Sequence, residues 1–263
     1  MKVEPERDQW GRYRLPHPDT GEVQSWTRAT TIASTLNDTY ALEKWKMRQV
    51  ALGIASNKSL RARLEGVTDK SLIDAICQEA MDRVGASDKA DIGTALHGMC
   101  EQLDLGEAGL ESFSPEFRSD LRAYLDGMHE HGVAVLPSWV ERIVINPPIV
   151  SAGTLDRIVK YEGSNYIADI KTGSLDYSLL DISIQLAIYA NSTGAWTGEE
   201  FESLPDVSKE YALVLHLPAG QGKFALWAID IERGWELAKL SFDVRLIQKE
   251  TPGTQITKKE AGI

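Results

Sequence analysis

Two aspartates lie inside apolar stretches of the sequence, where a charged side chain is costly. Asp156 lies in the stretch Gly153-Thr-Leu-Asp-Arg-Ile-Val, and Asp169 precedes Ile170 and Lys171 in the next apolar stretch. The period of two along a strand directs Asp169 and Lys171 to one face and Ile170 to the other. A buried sheet tolerates such charges only when they are paired or bind a cation. The two aspartates therefore indicate a site for a divalent metal ion.

The Asp-x-Lys triplet has a simpler interpretation when it is taken alone. Such triplets are more often surface ion pairs on a strand than catalytic groups. The setting favours a functional site, because Ile167, Ala168 and Ile170 are apolar and a Thr-Gly turn follows at once. A second strand that carries an acid also lies just upstream. The context, and not the triplet itself, supports the functional interpretation.

The composition limits the class of protein. Of the 263 residues, 43% are hydrophobic, which predicts one large domain or a domain with an appended helical part. The 28 Lys and Arg residues are outnumbered by 39 Asp and Glu residues, which gives a net charge of −11. This balance argues against a protein that coats nucleic acid through a broad basic surface. It is compatible with an enzyme that has a local basic groove.

Two cysteines, Cys77 and Cys100, are present. Two thiols provide neither a disulfide framework nor a four-thiolate site for a metal or an iron–sulfur cluster. The N-terminal segment lacks the apolar core of a signal peptide, and no stretch approaches the roughly 18 apolar residues that a membrane span needs. We therefore expect a soluble protein of the cytoplasm, or of the host cytoplasm if it is viral, with no membrane partner.

The hydrophobic periodicity predicts helices first, then three consecutive strands, then a mixture of both. Because the three strands are neighbours joined by short turns, they should form an antiparallel meander. The order contains no dinucleotide fingerprint, no Walker A sequence, no Gly-x-Ser-x-Gly elbow and no His-Glu-x-x-His helix. The predicted elements are a hairpin at 10–28, helical segments at 29–53, 60–85, 87–106, 115–131, 179–191 and 232–249, and strands at 139–145, 149–161, 166–171, 209–217 and 223–231.

Four short motifs occur in a fixed order along these elements. They are Gly93-Thr-Ala-Leu-His97 on a helix, Gly153-Thr-Leu-Asp156 on a strand, Asp169-Ile-Lys171 on the next strand, and Gln185-Leu-Ala-Ile-Tyr189 on a helix. Together they resemble the PD-(D/E)XK nuclease superfamily, and most closely its RecB-type branch of stand-alone, CRISPR-associated-exonuclease-like and phage-type enzymes. The resemblance covers about residues 87–192. Each motif alone has another interpretation: His97 could be part of a pair on a helix surface, and Gln185 and Tyr189 could be a hydrogen-bonded pair facing the core.

The resemblance implies a fold. We expect an α/β (α+β) protein with a restriction-endonuclease-like core, in which helices flank a central mixed β-sheet, and with an added helical N-terminal region. The corresponding segments are a hairpin and helical region at 1–86, the nuclease core at 87–250 and a polar tail at 251–263.

The resemblance also implies a chemistry, namely metal-assisted hydrolysis of phosphodiester bonds. Mg²⁺ or Mn²⁺ is the expected cofactor, and no iron–sulfur cluster is expected. Lys171 would position the attacking water or stabilise charge on the phosphate, while Gln185 and Tyr189 would brace the site or touch the strand. Glu101 and Glu141 are second-tier candidates for a second metal or for support, and either could be an ordinary solvated acid. The implied ligands are His97, Asp156, Asp169 and the backbone carbonyl of Ile170.

The expected function is therefore that of a metal-dependent DNA exonuclease that acts on linear ends in recombination, repair or phage DNA processing. A structure-specific endonuclease and a non-cleaving DNA-binding or assembly module remain alternatives. A homo-oligomer and a single-strand-annealing or recombination partner are further open expectations. Cations of the N-terminal helices either face water or form a wall of a DNA channel; they are Lys44, Lys46, Arg48, Arg61 and Arg63.

Overall fold

The computed structural model describes residues 5–86, 88–176 and 178–250. It is an α+β fold in which helices flank a mixed central sheet. The chain divides into two compact units, one of Met1–Asn37 with Cys100–Ile263 and the other of Asp38–Met99. The predicted segments 1–86 and 87–250 stay a prediction, and the predicted tail at 251–263 lies outside the described residues.

The helices and strands of the described residues are numbered in chain order. The helices are α1 Ala29–Ala33, α2 Tyr40–Ser56, α3 Lys58–Leu64, α4 Lys70–Arg83, α5 Asp88–Asp104, α6 Arg118–Glu130, α7 Leu179–Ala190 and α8 Glu232–Lys249. The strands are β1 Tyr13–Pro16, β2 Val23–Arg28, β3 Ala134–Asn146, β4 Ser151–Tyr161, β5 Ser164–Lys171, β6 Gly194–Trp196, β7 Phe201–Ser203, β8 Tyr211–His216 and β9 Ala225–Asp230.

The central sheet is built around the predicted meander, which is confirmed. Strands β3, β4 and β5 are antiparallel neighbours within the order β7-β6-β3-β4-β5-β8-β9. The β4–β5 turn has positive φ at Glu162 (47°) and at Gly163 (84°). Two positive φ values are the signature of the tight hairpin turn that matches the twist of antiparallel strands. Strand β8 lies parallel to β5 on the other side, which makes the sheet mixed.

The predicted N-terminal hairpin is also confirmed, and it is part of the same sheet. Strands β1 and β2 are antiparallel, and β2 pairs in parallel with the start of β4, with Thr27 opposite Ser151. Trp26 is completely buried, and its indole N–H donates to the carbonyl of Leu15 at 3.0 Å. The hairpin is thereby anchored beside the Gly-x-x-Asp strand.

Most residues of helix α7 are buried. Its apolar residues surround the helix instead of forming one stripe, as expected for a helix covered on several sides. It packs against α1, α8 and the sheet. Helix α8 approaches it closely at Gly234, where an added Cβ would lie 2.4 Å from the carbonyl oxygen of Ser183. The buried residues of α7 are Ile182, Ile184, Leu186, Ala187, Ile188, Tyr189 and Ala190.

One predicted element needs correction, and two short strands have no counterpart among the predicted elements. The helical segment 29–53 is interrupted between α1 and α2, and the side chain of Asp38 accepts a hydrogen bond from the backbone N–H of Tyr40 at 2.9 Å. Such a local bond competes with continuation of a helix. The short strands β6 and β7 were not predicted, because three residues are too few to show a period of two.

The second unit is helical. Helices α2 and α4 approach closely at Gly53, where an added Cβ would lie 2.0 Å from the carbonyl oxygen of Ala80. Lys44, Lys46 and Arg48 are exposed on α2, while Arg63 is ion-paired with Glu79 at 2.6 Å. A DNA-channel wall formed by these cations stays a prediction. Across the described residues of both units, no helix has the length and apolar character that would let it cross a membrane.

Candidate active site

Asp156 lies where the β4–β5 ladder ends. The last backbone pair of that ladder joins Arg157 with Ala168, one residue before Asp156 and Asp169 would meet. Instead, Oδ2 of Asp156 accepts a hydrogen bond from the backbone N–H of Ile170 at 3.0 Å. A side-chain carboxylate thus occupies the position of a ladder carbonyl. This bond holds Asp156 against the residue that separates Asp169 from Lys171.

Asp169 and Lys171 lie on one face of β5, as the alternation predicts. Nζ of Lys171 is 2.7 Å from Oδ2 of Asp169, and only 2% of the Asp169 side chain is exposed. Burial alone would lower the pKa of Lys171, but the charges of Asp169, Asp156 and Asp181 outweigh it and raise that pKa. The neighbouring carboxylates therefore favour the charged form of Lys171.

Gln185 and Tyr189 form a hydrogen-bonded pair one turn apart on α7. Nε2 of Gln185 donates to the hydroxyl of Tyr189 at 3.2 Å, and Tyr189 is almost completely buried. Burial raises the pKa of Tyr189, and the charges of Asp169 and Asp156 add to this effect against the hydrogen bond from Gln185. The tyrosine therefore stays protonated, and it lies within electrostatic reach of both candidate metal ligands.

A cavity of about 240 Å³ connects this pair with the Gly-x-x-Asp strand. Gln185, Tyr189 and Gly153 line one part of it, and the cations Arg7 and Arg28 line another. A neighbouring hydrogen bond of 3.0 Å joins the hydroxyls of Tyr13 and Thr154. The N-terminal hairpin, which carried no assigned chemistry in the sequence, thus supplies positive charge beside two of the motifs.

The second-tier candidates Glu101 and Glu141 line a different cavity, of about 520 Å³. Glu141 lies in the irregular part of β3, between Val140 and Arg142, which pair with Arg157 and Leu155. Its φ is 52°, an unfavourable value for a residue with a Cβ. Glu141 is thus level with Asp156 across the sheet, but Asp156, Asp169 and Lys171 do not line this cavity. A role for the two glutamates stays a prediction.

The predicted ligand His97 lies on α5 within the second unit and is half-buried. Within the described residues, no three His, Cys, Asp or Glu side chains are grouped as a ligand set for a metal. The chemistry of Asp156 and Asp169 still fits Mg²⁺, because enzymes often hold this ion by one or two carboxylates, waters and substrate phosphates. The role of His97 as a further ligand, and that of the Ile170 carbonyl, stay predictions.

Sequence reasoning missed the cluster of Arg157, Asp104 and Tyr124. The Arg157 side chain is 1% exposed, and its Nη1 donates hydrogen bonds to Asp104 and to the Tyr124 hydroxyl. That hydroxyl in turn donates to Asp104 at 2.8 Å. Burial alone would lower the pKa of Arg157, but Tyr124 and Asp104 raise it. The signal in the sequence for this cluster was an arginine inside an otherwise apolar strand. The cluster ties β4, at the residue after Asp156, to α5 and α6.

Comparison of the sequence with protein-family models and with curated proteins gives no match. The functional assignment therefore depends on the motifs and on the geometry of their side chains.

Proposed function

We propose that this protein is a metal-dependent deoxyribonuclease that hydrolyses phosphodiester bonds from the ends of linear DNA. One observation carries the proposal: Asp156 is hydrogen-bonded to the backbone of Ile170, and Ile170 separates Asp169 from its ion-pair partner Lys171. Two carboxylates and an ammonium thus converge at the end of one ladder. In the proposed reaction, the carboxylates would hold a metal ion and the ammonium would interact with the phosphate or the attacking water.

The residues have distinct proposed roles. Asp156, Asp169 and the Ile170 carbonyl would hold Mg²⁺ or Mn²⁺, and this ion would acidify a water and polarise the phosphate. Lys171 would position the attacking water or stabilise negative charge on the reacting phosphate. Gln185 and Tyr189 would orient the strand through their amide and hydroxyl groups.

Two further features support a DNA substrate. The cavity lined by Gln185 and Tyr189 is also lined by Arg7 and Arg28, and arginine side chains suit phosphate oxygens. The antiparallel β3–β4–β5 meander next to the parallel strand β8 is compatible with the proposed restriction-endonuclease-like core. Action at DNA ends, within recombination, repair or phage DNA processing in the cytoplasm, belongs to the same proposal, as do a homo-oligomer and a recombination partner.

The test is degradation of end-labelled linear DNA and closed circular DNA in Mg²⁺, in Mn²⁺ and in EDTA. We expect metal-dependent loss of the linear DNA alone with the wild type. Asp169→Ala and Lys171→Ala should each abolish this loss, and Asp169→Asn gives an isosteric second variant. Asp243→Ala and Lys239→Ala on the exposed face of α8 are matched controls that should retain activity. Thermal unfolding of each variant checks that it is folded.

Other outcomes would change the assignment. Nicking of the circular DNA would indicate the endonuclease alternative. Binding without cleavage by the folded wild type, in either metal, would contradict an enzyme and favour the non-cleaving module. Retained cleavage by both Asp169→Asn and Lys171→Ala would show that the reaction occurs elsewhere in the chain.

A further inference from the structure

A third cavity, of about 410 Å³, is unusually basic for a protein whose net charge is −11. We call it the basic groove. Its described lining contains four cations, two threonines and one tryptophan, and no acid. The lining residues are Trp10, Arg12, Thr27, Arg28, Thr31, Arg245 and Lys249. Because acids outnumber bases over the whole chain, this local excess of positive charge requires an explanation.

Three separate segments build the basic groove. Trp10 and Arg12 come from the segment before β1, Arg28 ends β2, and Arg245 and Lys249 come from the last turns of α8. The spacing of four residues places Arg245 and Lys249 on one face of α8. The hairpin and the C-terminal helix therefore direct their cations into one space.

The positive charge of the basic groove is largely uncompensated. Within the described part of the chain, the side chains of Arg28, Arg245 and Lys249 make no hydrogen bond or ion pair, and Nε of Arg245 is buried without a hydrogen-bond partner. Arg12 differs, because its Nε is 2.6 Å from Oδ2 of Asp8. Three neighbouring cations in a described lining that contains no acid repel one another, and a polyanion would relieve that repulsion.

The exposed Trp10 indicates which class of polyanion the basic groove suits. Trp10 is 67% exposed, and the guanidinium carbon of Arg12 is 4.9 Å from the centre of its ring. A free inorganic anion would use the cations but not the exposed indole. A single-stranded nucleic acid uses both, because its phosphates bind cations and its unpaired bases stack on aromatic rings.

We propose that the basic groove binds a single-stranded segment of nucleic acid, with phosphates at Arg28, Arg245 and Lys249 and a base stacked on Trp10. This inference rests on the proposed function for its choice of DNA. Arg28 lines both the basic groove and the cavity that contains Gln185 and Tyr189. The strand is therefore held on the hairpin side of the proposed active site.

The proposed phosphate contacts are tested by fluorescence anisotropy with a labelled single-stranded oligonucleotide. EDTA is present to prevent cleavage. We expect the double variant Arg245→Ala/Lys249→Ala to bind about 10-fold more weakly, and its slope of log affinity against log salt to fall by roughly 1.4, since each single-strand phosphate contact contributes roughly 0.7. Arg233→Ala/Lys239→Ala, on the same helix but outside the groove, is the matched control and should bind as the wild type does.

The proposed stacking of a base on Trp10 is tested with Trp10→Ala in the same assay. We expect about 10-fold weaker binding with an unchanged salt slope, because stacking involves no phosphate. Trp10→Phe should retain most of the affinity. Trp227→Ala is the matched control, since Trp227 is 51% exposed on β9 and does not line the groove.

Three results would overturn the proposal. The first is that the wild type fails to bind the single strand, and the second is that the groove variants bind it with wild-type affinity. The third is that the groove variants lose as much affinity for a duplex of the same sequence as for the single strand. Its failure is distinguishable from failure of the proposed nuclease activity. Asp169→Asn should lose cleavage and keep single-strand binding in EDTA. If the nuclease assignment fails and the groove is correct, the wild type binds without cleaving; if only the groove fails, cleavage persists while the groove variants bind normally.

Discussion

Tyr189 packs directly on the backbone of Gly153, so that a Cβ added to Gly153 would lie 2.6 Å from Cε1 and 2.9 Å from the hydroxyl of the tyrosine. The first residue of the Gly-x-x-Asp motif and the last residue of the Gln-x-x-x-Tyr motif are therefore in contact. The missing side chain of Gly153 is what lets helix α7 bring Tyr189 against the strand that carries Asp156.

Gly153→Ala should destabilise the protein. Because Tyr189 is almost completely buried, it cannot move aside without repacking, and overpacking of this kind costs about 1–3 kcal/mol. Urea unfolding measures the loss. Tyr189→Leu added to Gly153→Ala should recover part of it, since the smaller side chain makes room. Gly109→Ala is the control, because no atom lies within 4 Å of its Cβ position, and an equal loss there would contradict the contact.

Asp104→Ala should be strongly destabilising. The change leaves the Arg157 guanidinium, which is completely buried, without its carboxylate, and breaking a buried ion pair in this way costs about 3–5 kcal/mol. Chemical denaturation measures the free energy of unfolding. Glu236→Ala removes an exposed ion pair with Arg233 and should cost at most about 1 kcal/mol. If the two variants lost similar free energies of unfolding, the buried ion pair of Arg157 would contribute no more to stability than an exposed one.

The stability of the N-terminal hairpin should depend on pH through Asp8. Loss of solvent contact alone raises the pKa of Asp8, but hydrogen bonds from Arg12, Ser25 and the backbone N–H of Trp10 lower it from 3.8 to about 2. A depressed folded-state pKa stabilises the folded protein above the unfolded value, and this stabilisation is lost as the pH falls through about 2.

The melting temperatures of the wild type and of Asp8→Asn should therefore differ most above pH 4 and converge between pH 4 and 2. The wild type should be the more stable protein in the upper range. Comparison of the two proteins removes the contribution of the other carboxylates, which titrate in both. A constant difference across this range would contradict the low pKa of Asp8.

Mg²⁺ should stabilise the folded protein through Asp169. A ligand that binds only the folded state raises its stability, by about 2.7 kcal/mol when its concentration is 100 times the dissociation constant. We expect the melting temperature of the wild type to rise with Mg²⁺ and that of Asp169→Asn to stay unchanged. Asp243→Asn, which removes an exposed acid on α8, should respond as the wild type does. An equal response of all three proteins would place Mg²⁺ elsewhere.

The sequence by itself determined the local directions of the motif side chains. A period of two along β5 was enough to predict that Asp169 and Lys171 share a face, and their distance of 2.7 Å confirms it. The i, i+4 spacing likewise predicts that Gln185 meets Tyr189. The meander of β3, β4 and β5 was predictable because short turns leave antiparallel pairing as the natural arrangement of consecutive strands.

Only the tertiary structure decided which distant segments meet. Arg157 pairs with Asp104 across 53 positions of the sequence, and Arg28 and Arg245 line the same basic groove. No local periodicity encodes such contacts, because they depend on strand order and helix packing. The bond from Ile170 to Asp156 is also tertiary, since it forms where a ladder of two strands ends. Local periodicity predicts the direction of a side chain from its own strand or helix. The packing of strands and helices from distant parts of the chain determines which residues that side chain contacts.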